Sequence, residues 1–355
     1  MRPSRVEIDL QAIRHNTSQL STLIAPARLC AVVKADGYGH GDVPVAEAAL
    51  AAGATWLAVA LVEEGVRLRE AGIEAPVLLL SEPSVEDRES LLQWKLTPTA
   101  YTEQFIDSMA GTGLPVHVKI DTGMHRVGAP PESLLDLLDQ AYRRQLVVEG
   151  IWTHFAHSEG DLEFTRHQIE KYDAAVPDTH PAIRHLANTA AAVLIPESRR
   201  DLVRAGIGLY GIHPGETTTR LIDLRPAMRI VSRVAYVQRL PAGSRPSYGR
   251  RRELPVESNV ATVPIGYADG LPRSLSERGQ VLVRGRRYPL AGTITMDQIV
   301  VDIGNDPVEV GDEVVLLGQQ GSEAITADEW ATLAGTIAYE IVCQIGPRLP
   351  RRYVE

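Results

Sequence analysis

A lysine closes the apolar run AVVK at Lys34, and the segment continues as ADGYGHG to residue 41. An ammonium ending a buried strand is costly to desolvate unless its amine is used. Burial lowers the amine's pKa, so such a lysine suits Schiff-base chemistry with an aldehyde. A lysine that simply snorkels from a strand end is the other reading of this one position. Further along, KIDTGMHR carries Lys119 and Arg126, and GIWTHF carries His154. HLANTAA carries Asn188 and Thr189, and VRAGIGLYG carries Arg204 with Gly206, Gly208 and Gly211. The set is one of cations, hydroxyls and a glycine-rich turn of phosphate-binding type. The G-x-G-x-x-G spacing is a weak dinucleotide fingerprint, because no helical pattern follows it.

Those residues need a scaffold that brings strand ends together. Apolar runs at 29–34, 55–60, 76–80, 95–99 (the weakest), 115–120, 150–155, 183–188 and 202–207 alternate with segments such as VEEGVRLREAG and LEFTRHQIEKYDAA. Most of those segments repeat apolar residues at i, i+3 and i+4, and several end at glycine. Continuous apolar strands imply parallel pairing with both faces buried. Eight such units within residues 1–224 predict an α/β fold, a (β/α)8 TIM-type barrel with its chemistry at the C-terminal strand ends. An open doubly wound sheet is the alternative. From about residue 225 short alternating strands and Gly or Pro turns take over, which predicts a mostly β C-terminal domain over 225–355. The early VEIDL strand, at 6–10, precedes the first barrel helix and is placed to join that β domain.

The 355 residues carry a net charge of −9 and a pI near 5.6, so no basic face is expected for nucleic acid or an anionic membrane. No run approaches the ~18 apolar residues of a membrane span. The start, MRPSRVEIDLQAI, lacks a signal-peptide core, so a soluble cytoplasmic protein is expected. Cys30 and Cys343 each lie in an apolar run, which predicts two buried thiols rather than a disulfide or a metal pair. No metal is expected.

With these motifs in order, the sequence resembles the alanine racemase family over essentially its whole length. AVVKADGYGHG is similar to the family's pyridoxal-phosphate (PLP) attachment signature. KIDTGMHRVG, THFAHSEGD, HLANTAA, VRAGIGLYG, SYGR, PIGYADG, ITMDQ and YEIVCQIGPRLPR follow in family order. The resemblance implies a barrel plus a β domain, PLP as cofactor, alanine as substrate, and a head-to-tail homodimer with shared active sites. Lys34 would carry PLP and act as one acid–base group; Tyr248 of the partner chain would be the other. His154, with Arg204 behind it, would support that tyrosine, and Arg204 would face the pyridine nitrogen. Tyr38, Thr189, Gly206, Ile207 and Tyr339 would hold the phosphate, with Asn188 beside them. Arg126 would bind the phenolate and the substrate carboxylate, steadied by a carbamylated Lys119. Met296, through its backbone N–H, and Asp297 would come from the partner chain to contact substrate, and Tyr267 would line the entrance.

Three departures stand out. Thr295 replaces a frequent Cys, Thr189 a frequent Ser, and His125 a usual Gly beside Arg126. The competing readings are a racemase for serine or a broader range of amino acids, a PLP-dependent decarboxylase, and a non-catalytic PLP-binding protein. The last of these lacks a β domain, whereas this chain has one carrying Tyr248.

Overall fold

Eight strands, seven of them buried along most of their length, follow one another through the first two thirds of the chain. The computed structural model describes residues 2–355. Contacts divide it into two units, Gln11–Arg225 on one hand and Met1–Leu10 with Pro226–Glu355 on the other.

In the unit Gln11–Arg225 the strands, numbered after the early strand β1 (Arg5–Asp9), are β2 (Arg28–Val32), β3 (Ala54–Val59), β4 (Val77–Leu79), β5 (Thr99–Ala100), β6 (Pro115–Lys119), β7 (Val147–Trp152), β8 (Ile183–His185) and β9 (Leu202–Ala205). Their runs of Val, Leu, Ile and Ala are buried on both faces, as parallel strands under helices must be. Two parallel ladders, β4-β3-β2-β9 and β5-β6-β7-β8, make up the ring. A parallel bridge between Leu78 and Thr97 joins them on one side. On the other, the Asp201 N–H donates to Arg184 O (3.0 Å) and the Arg204 N–H to Ala187 O (3.0 Å). The ring closes into an eight-stranded barrel, so the open-sheet alternative falls.

The run at 95–99 contracts to a two-residue strand. Pro98 has no N–H to give the ladder and contributes only its carbonyl, which accepts from the His117 N–H. Of the intervening helices, α1 (Leu10–Ile24), α2 (Lys34–Tyr38), α3 (Asp42–Ala51) and α4 (Val62–Glu70) come first. After them come α5 (Arg88–Gln93), α6 (Glu103–Ser108), α7 (Leu134–Arg143), α8 (Leu162–Ala175) and α9 (Thr189–Leu194). The α7 helix shows the logic: Leu134, Leu137, Leu138 and Ala141 are buried at i, i+3, i+4, i+7 spacing while the charged residues face out.

The second unit is mostly β. Strand β1 lies between β10 (Met228–Arg233), antiparallel, and β18 (Arg351–Val354), parallel. Leu254, Val260 and Ala291 form a small core there. Two short helices, α10 (Ala327–Ala334) and α11 (Ala338–Cys343), interrupt the strands. Cys343 corrects an expectation: it is exposed, because α11 turns Ala338, Ile341 and Val342 inward and leaves its last residue outside. Cys30 is buried, and burial pushes its thiol up to about 12. Among the described residues no helix is long and apolar enough to cross a membrane.

Candidate active site

Lys34 follows β2 and starts α2, a turn that is helical but left-handed. Ala35, Asp36, Gly37 and Tyr38 all have φ between 53° and 58°. Left-handed backbone costs an L-residue other than glycine roughly 1–2 kcal/mol, so the turn persists only if its surroundings hold it. Tyr38 stacks on Tyr210 at 4.8 Å, and the Tyr210 hydroxyl donates to Val32 O at 2.9 Å. The Glu64 carboxylate accepts the Ala35 N–H at 2.6 Å.

Beyond β9 the chain passes Gly206 at close quarters. A Cβ there would meet Tyr38 Oη at 2.7 Å, and one at Gly208 would meet Thr189 Cγ2 at 2.6 Å. The Gly206 N–H donates to Thr189 Oγ1 at 3.0 Å, which leaves the threonine's own proton to serve another acceptor. Tyr38 and Thr189 thus bring their hydroxyls against the backbone of Gly206 and Gly208, with Ile207 between the two glycines. Asn188 does structural work beside it, capping α9 through Ala191 N–H (2.9 Å) and accepting from Ser158 Oγ (2.9 Å).

Arg204 is buried without a carboxylate partner among the described residues. Nη1 donates to His185 O (2.8 Å) and His185 Nδ1 (2.9 Å). Nη2 donates to Thr153 O (2.8 Å), Leu186 O (3.0 Å) and His154 Nδ1 (3.2 Å). These bonds consume the Nη hydrogens and leave Nε–H as the remaining donor. Arginine only donates, so Nδ1 of both His154 and His185 must accept, and their protons sit on Nε2. The His185 Nε2–H then donates to His117 Nδ1 at 2.8 Å.

Loss of hydration, then the charges of Arg204, Lys119, Arg126 and Lys34, hold His154 well below its ordinary 6.5. It is therefore neutral. Burial, followed by Arg204 and Arg126, lowers Lys119 to about 7. Its Nζ lies 4.5 Å from the Trp152 ring centroid, and the Arg204 guanidinium 4.4 Å from it. Burial also lowers Arg204, to about 10, which leaves it charged at neutral pH. Arg126 itself is exposed on the loop after β6, next to exposed His125. The cations Lys34, Arg126 and Arg204, with the largely suppressed charge of Lys119, thus converge around His154, a field that selects an anionic ligand.

The other expected residues lie in the β unit. Tyr248 is 74% exposed. Its loop is pinned by Thr293, whose Oγ1 donates to Tyr248 O (2.7 Å) and whose carbonyl accepts from Ser247 Oγ (2.6 Å). Tyr267 and Met296 belong to two loops joined by backbone bonds, Tyr267 N–H to Thr295 O (3.0 Å) and Ala268 N–H to Met296 O (3.1 Å). Only glycine fits at 266, where a Cβ would strike the Thr295 and Met296 carbonyls. The Asp297 carboxylate is held by Arg348 at 2.6 Å. Buried Asp269, paired with Arg2, accepts the Gly266 N–H at 2.9 Å. Tyr339 lies on α11, partly exposed.

Residues 8–214 match the family described as alanine racemase, N-terminal domain, and residues 227–353 its C-terminal domain. The chain belongs to the alanine racemase family. A relative named alanine racemase from Symbiobacterium thermophilum is 46% identical, covering 99% of this chain and 97% of its own. The solved alanine racemase of Bacillus anthracis with bound L-Ala-P is 34% identical, with a TM-score of 0.94, covering 100% of this chain and 96% of that one. A histidine racemase from Leuconostoc mesenteroides also superposes, with a TM-score of 0.91 and 28% identity, over 100% of this chain and 98% of that one. The alanine racemase scaffold is therefore shared by a protein named for a different amino acid.

Sequence reasoning missed several residues that hold these segments: Glu64, Tyr210 and His185 with His117 in the barrel, and the Arg2–Asp269 pair in the β unit. Glu64 looks like one of two surface glutamates in VEEG, and only its N3 position on α4 hinted at a cap. The histidines sit in strand runs, where an alternating polar residue gives no sign of its partner across the barrel.

Proposed function

We propose that this chain interconverts L- and D-alanine with PLP, and that two copies complete each other's sites. The observation that carries the reading is the convergence of Lys34, Lys119, Arg126 and Arg204 on neutral His154, with no carboxylate on Arg204. The close backbone at Gly206, where a Cβ would strike the Tyr38 hydroxyl, suits the phosphate, with the hydroxyls of Tyr38, Thr189 and Tyr339 and the Ile207 N–H as its donors, and Gly206 and Asn188 shaping the rim. When bound, PLP supplies a ring that accepts electron density from the Cα of the attached amino acid.

Lys34 would hold the cofactor's aldehyde carbon through its amine; once the substrate's amine takes that place, the freed lysine amine would move a proton at Cα on one face. Tyr248 of a second copy moves the proton on the opposite face. Two groups are needed because one base would have to swing around a planar substrate or exchange with water. A tyrosine hydroxyl begins near ~10 and needs a donor to ionise at neutral pH; the Nε2–H of His154 is that donor. Arg204, with Nε–H left over and its guanidinium charged at neutral pH, would face the ring nitrogen without giving up its proton, and would so favour return of the proton to Cα over transamination. Arg126 binds the substrate carboxylate. Lys119, poised near 7, presents neutral amine that can add carbon dioxide, lose a proton and become a carbamate that neutralises Arg126. Met296, through its N–H, and Asp297 of the second copy contact the substrate, and Tyr267 narrows the entrance.

The substrate assignment has one serious competitor, a different or larger amino acid, because the histidine racemase shares this scaffold. Tyr339 is the residue assigned to favour a methyl side chain. The test is direct: purified protein with PLP should bring the optical rotation of L-alanine to zero, and borohydride should fix a pyridoxyl group on the 31–41 segment. No loss of rotation, or label on another lysine, would overturn the reading.

A further inference from the structure

The left-handed turn after Lys34 has an unusual keeper. Glu64 is buried at 6% exposure, and its two oxygens grip two separate segments. Oε1 accepts the Ala35 N–H at 2.6 Å. Oε2 accepts the N–H groups of Ala60 (2.8 Å) and Leu61 (3.1 Å), where β3 passes into α4. All three partners are donors, so acceptors are needed at both oxygens, and a carboxylate alone supplies them. Glutamine in the same space would turn an NH2 against one segment or the other. Aspartate is a methylene too short to bridge both.

The turn needs such a clamp. Gly37 and Gly39 tolerate positive φ, but Ala35, at 54°, has no intrinsic reason to adopt it. Internal bonds alone (Gly37 N–H to Val33 O, Gly39 N–H to Ala35 O, Gly41 N–H to Asp36 O) leave the Ala35 N–H without a backbone acceptor inside the turn. Glu64 is that acceptor, and it sits one residue from Lys34.

We propose that Glu64 is a positioning residue for Lys34: it locks the left-handed turn to the β3–α4 junction and so fixes the backbone from which the lysine projects. The proposal rests on the reading that Lys34 holds PLP, and it identifies what keeps that lysine in place.

The test combines Glu64→Gln with a rescue. Amide exchange by mass spectrometry is followed in cofactor-free and PLP-loaded protein, alongside release of PLP during dialysis. In Glu64→Gln the 31–41 segment should exchange roughly tenfold faster while barrel-strand peptides are unchanged, the size expected for one lost charge-assisted bond. PLP release should quicken by about the same factor. Adding Ala35→Gly, which removes the steric penalty of positive φ, should recover both. Unchanged exchange and PLP retention in Glu64→Gln would overturn the proposal. So would faster exchange across all barrel strands with no recovery from Ala35→Gly, the pattern of a residue that merely supports the fold. If wild-type protein carries no PLP on Lys34, the cofactor reading fails, and the cofactor-free exchange still decides whether Glu64 holds the turn.

Discussion

Arg204 and Tyr248 stand at opposite extremes, 3% and 74% exposed. The arginine's Nη groups are bonded to three carbonyls and two imidazoles within its own barrel. The tyrosine's ring is exposed on a loop that Thr293 holds through the Tyr248 carbonyl and the Ser247 hydroxyl. In the proposed function, one half of the chemistry is therefore preorganised by the unit that carries it, as a site that stabilises charge requires. The other half is presented on a surface. Substitutions in the two regions should fail in different ways.

The largest contrast is in stability. Arg204→Met strips donors from the buried carbonyls of Thr153, His185 and Leu186 and should cost about 3–5 kcal/mol, seen as a marked fall in Tm. Tyr248→Phe should move stability by no more than ~0.5 kcal/mol while removing most racemisation. Comparable Tm losses in both variants would break the comparison.

A smaller effect belongs to Lys119. Its folded value of about 7 lies below the ordinary 10.5, so between those limits the unfolded chain binds the proton and the folded one does not. Stability then rises with pH across that window, by at most about 1.4 kcal/mol per pH unit, and the gain is lost as pH falls through 7. In carbon-dioxide-free buffer, denaturation of wild type against Lys119→Met should show that slope. Bicarbonate should flatten it by capping the amine. A flat difference without carbon dioxide would show that the ammonium is not suppressed.

The smallest effect concerns specificity. One extra heavy atom in a pocket is worth only ~1–3 kcal/mol, so alanine should exceed serine in kcat/KM by roughly ten- to two-hundred-fold. Tyr339→Asn should narrow that ratio by opening room and offering a hydrogen bond. An unmoved ratio would remove Tyr339 from the specificity account.

The barrel was legible because parallel strands covered on both faces leave continuous apolar runs, and Lys34 was legible because a cation ends one of them. Its left-handed turn was only half legible: ADGYGHG announces tight backbone through its glycines, but nothing marks Ala35 as left-handed. That conformation is imposed by Glu64, twenty-nine residues away in the chain. Cys343 misled because an apolar run was read without the helix that rotates its last member outward. The histidine pair 117 and 185 and the Arg2–Asp269 bond are long-range in sequence, and no local period encodes them. Tyr248 was legible through resemblance alone, since an exposed tyrosine on a β-unit loop carries no physical signature of catalysis.

The central claim is that two groups work on opposite faces of one substrate, and proton exchange in heavy water tests it most directly. Tyr248→Phe should still wash deuterium into the α-position of one alanine enantiomer through Lys34, while exchange from the other enantiomer and net racemisation collapse. Equal residual exchange from both enantiomers would contradict the account.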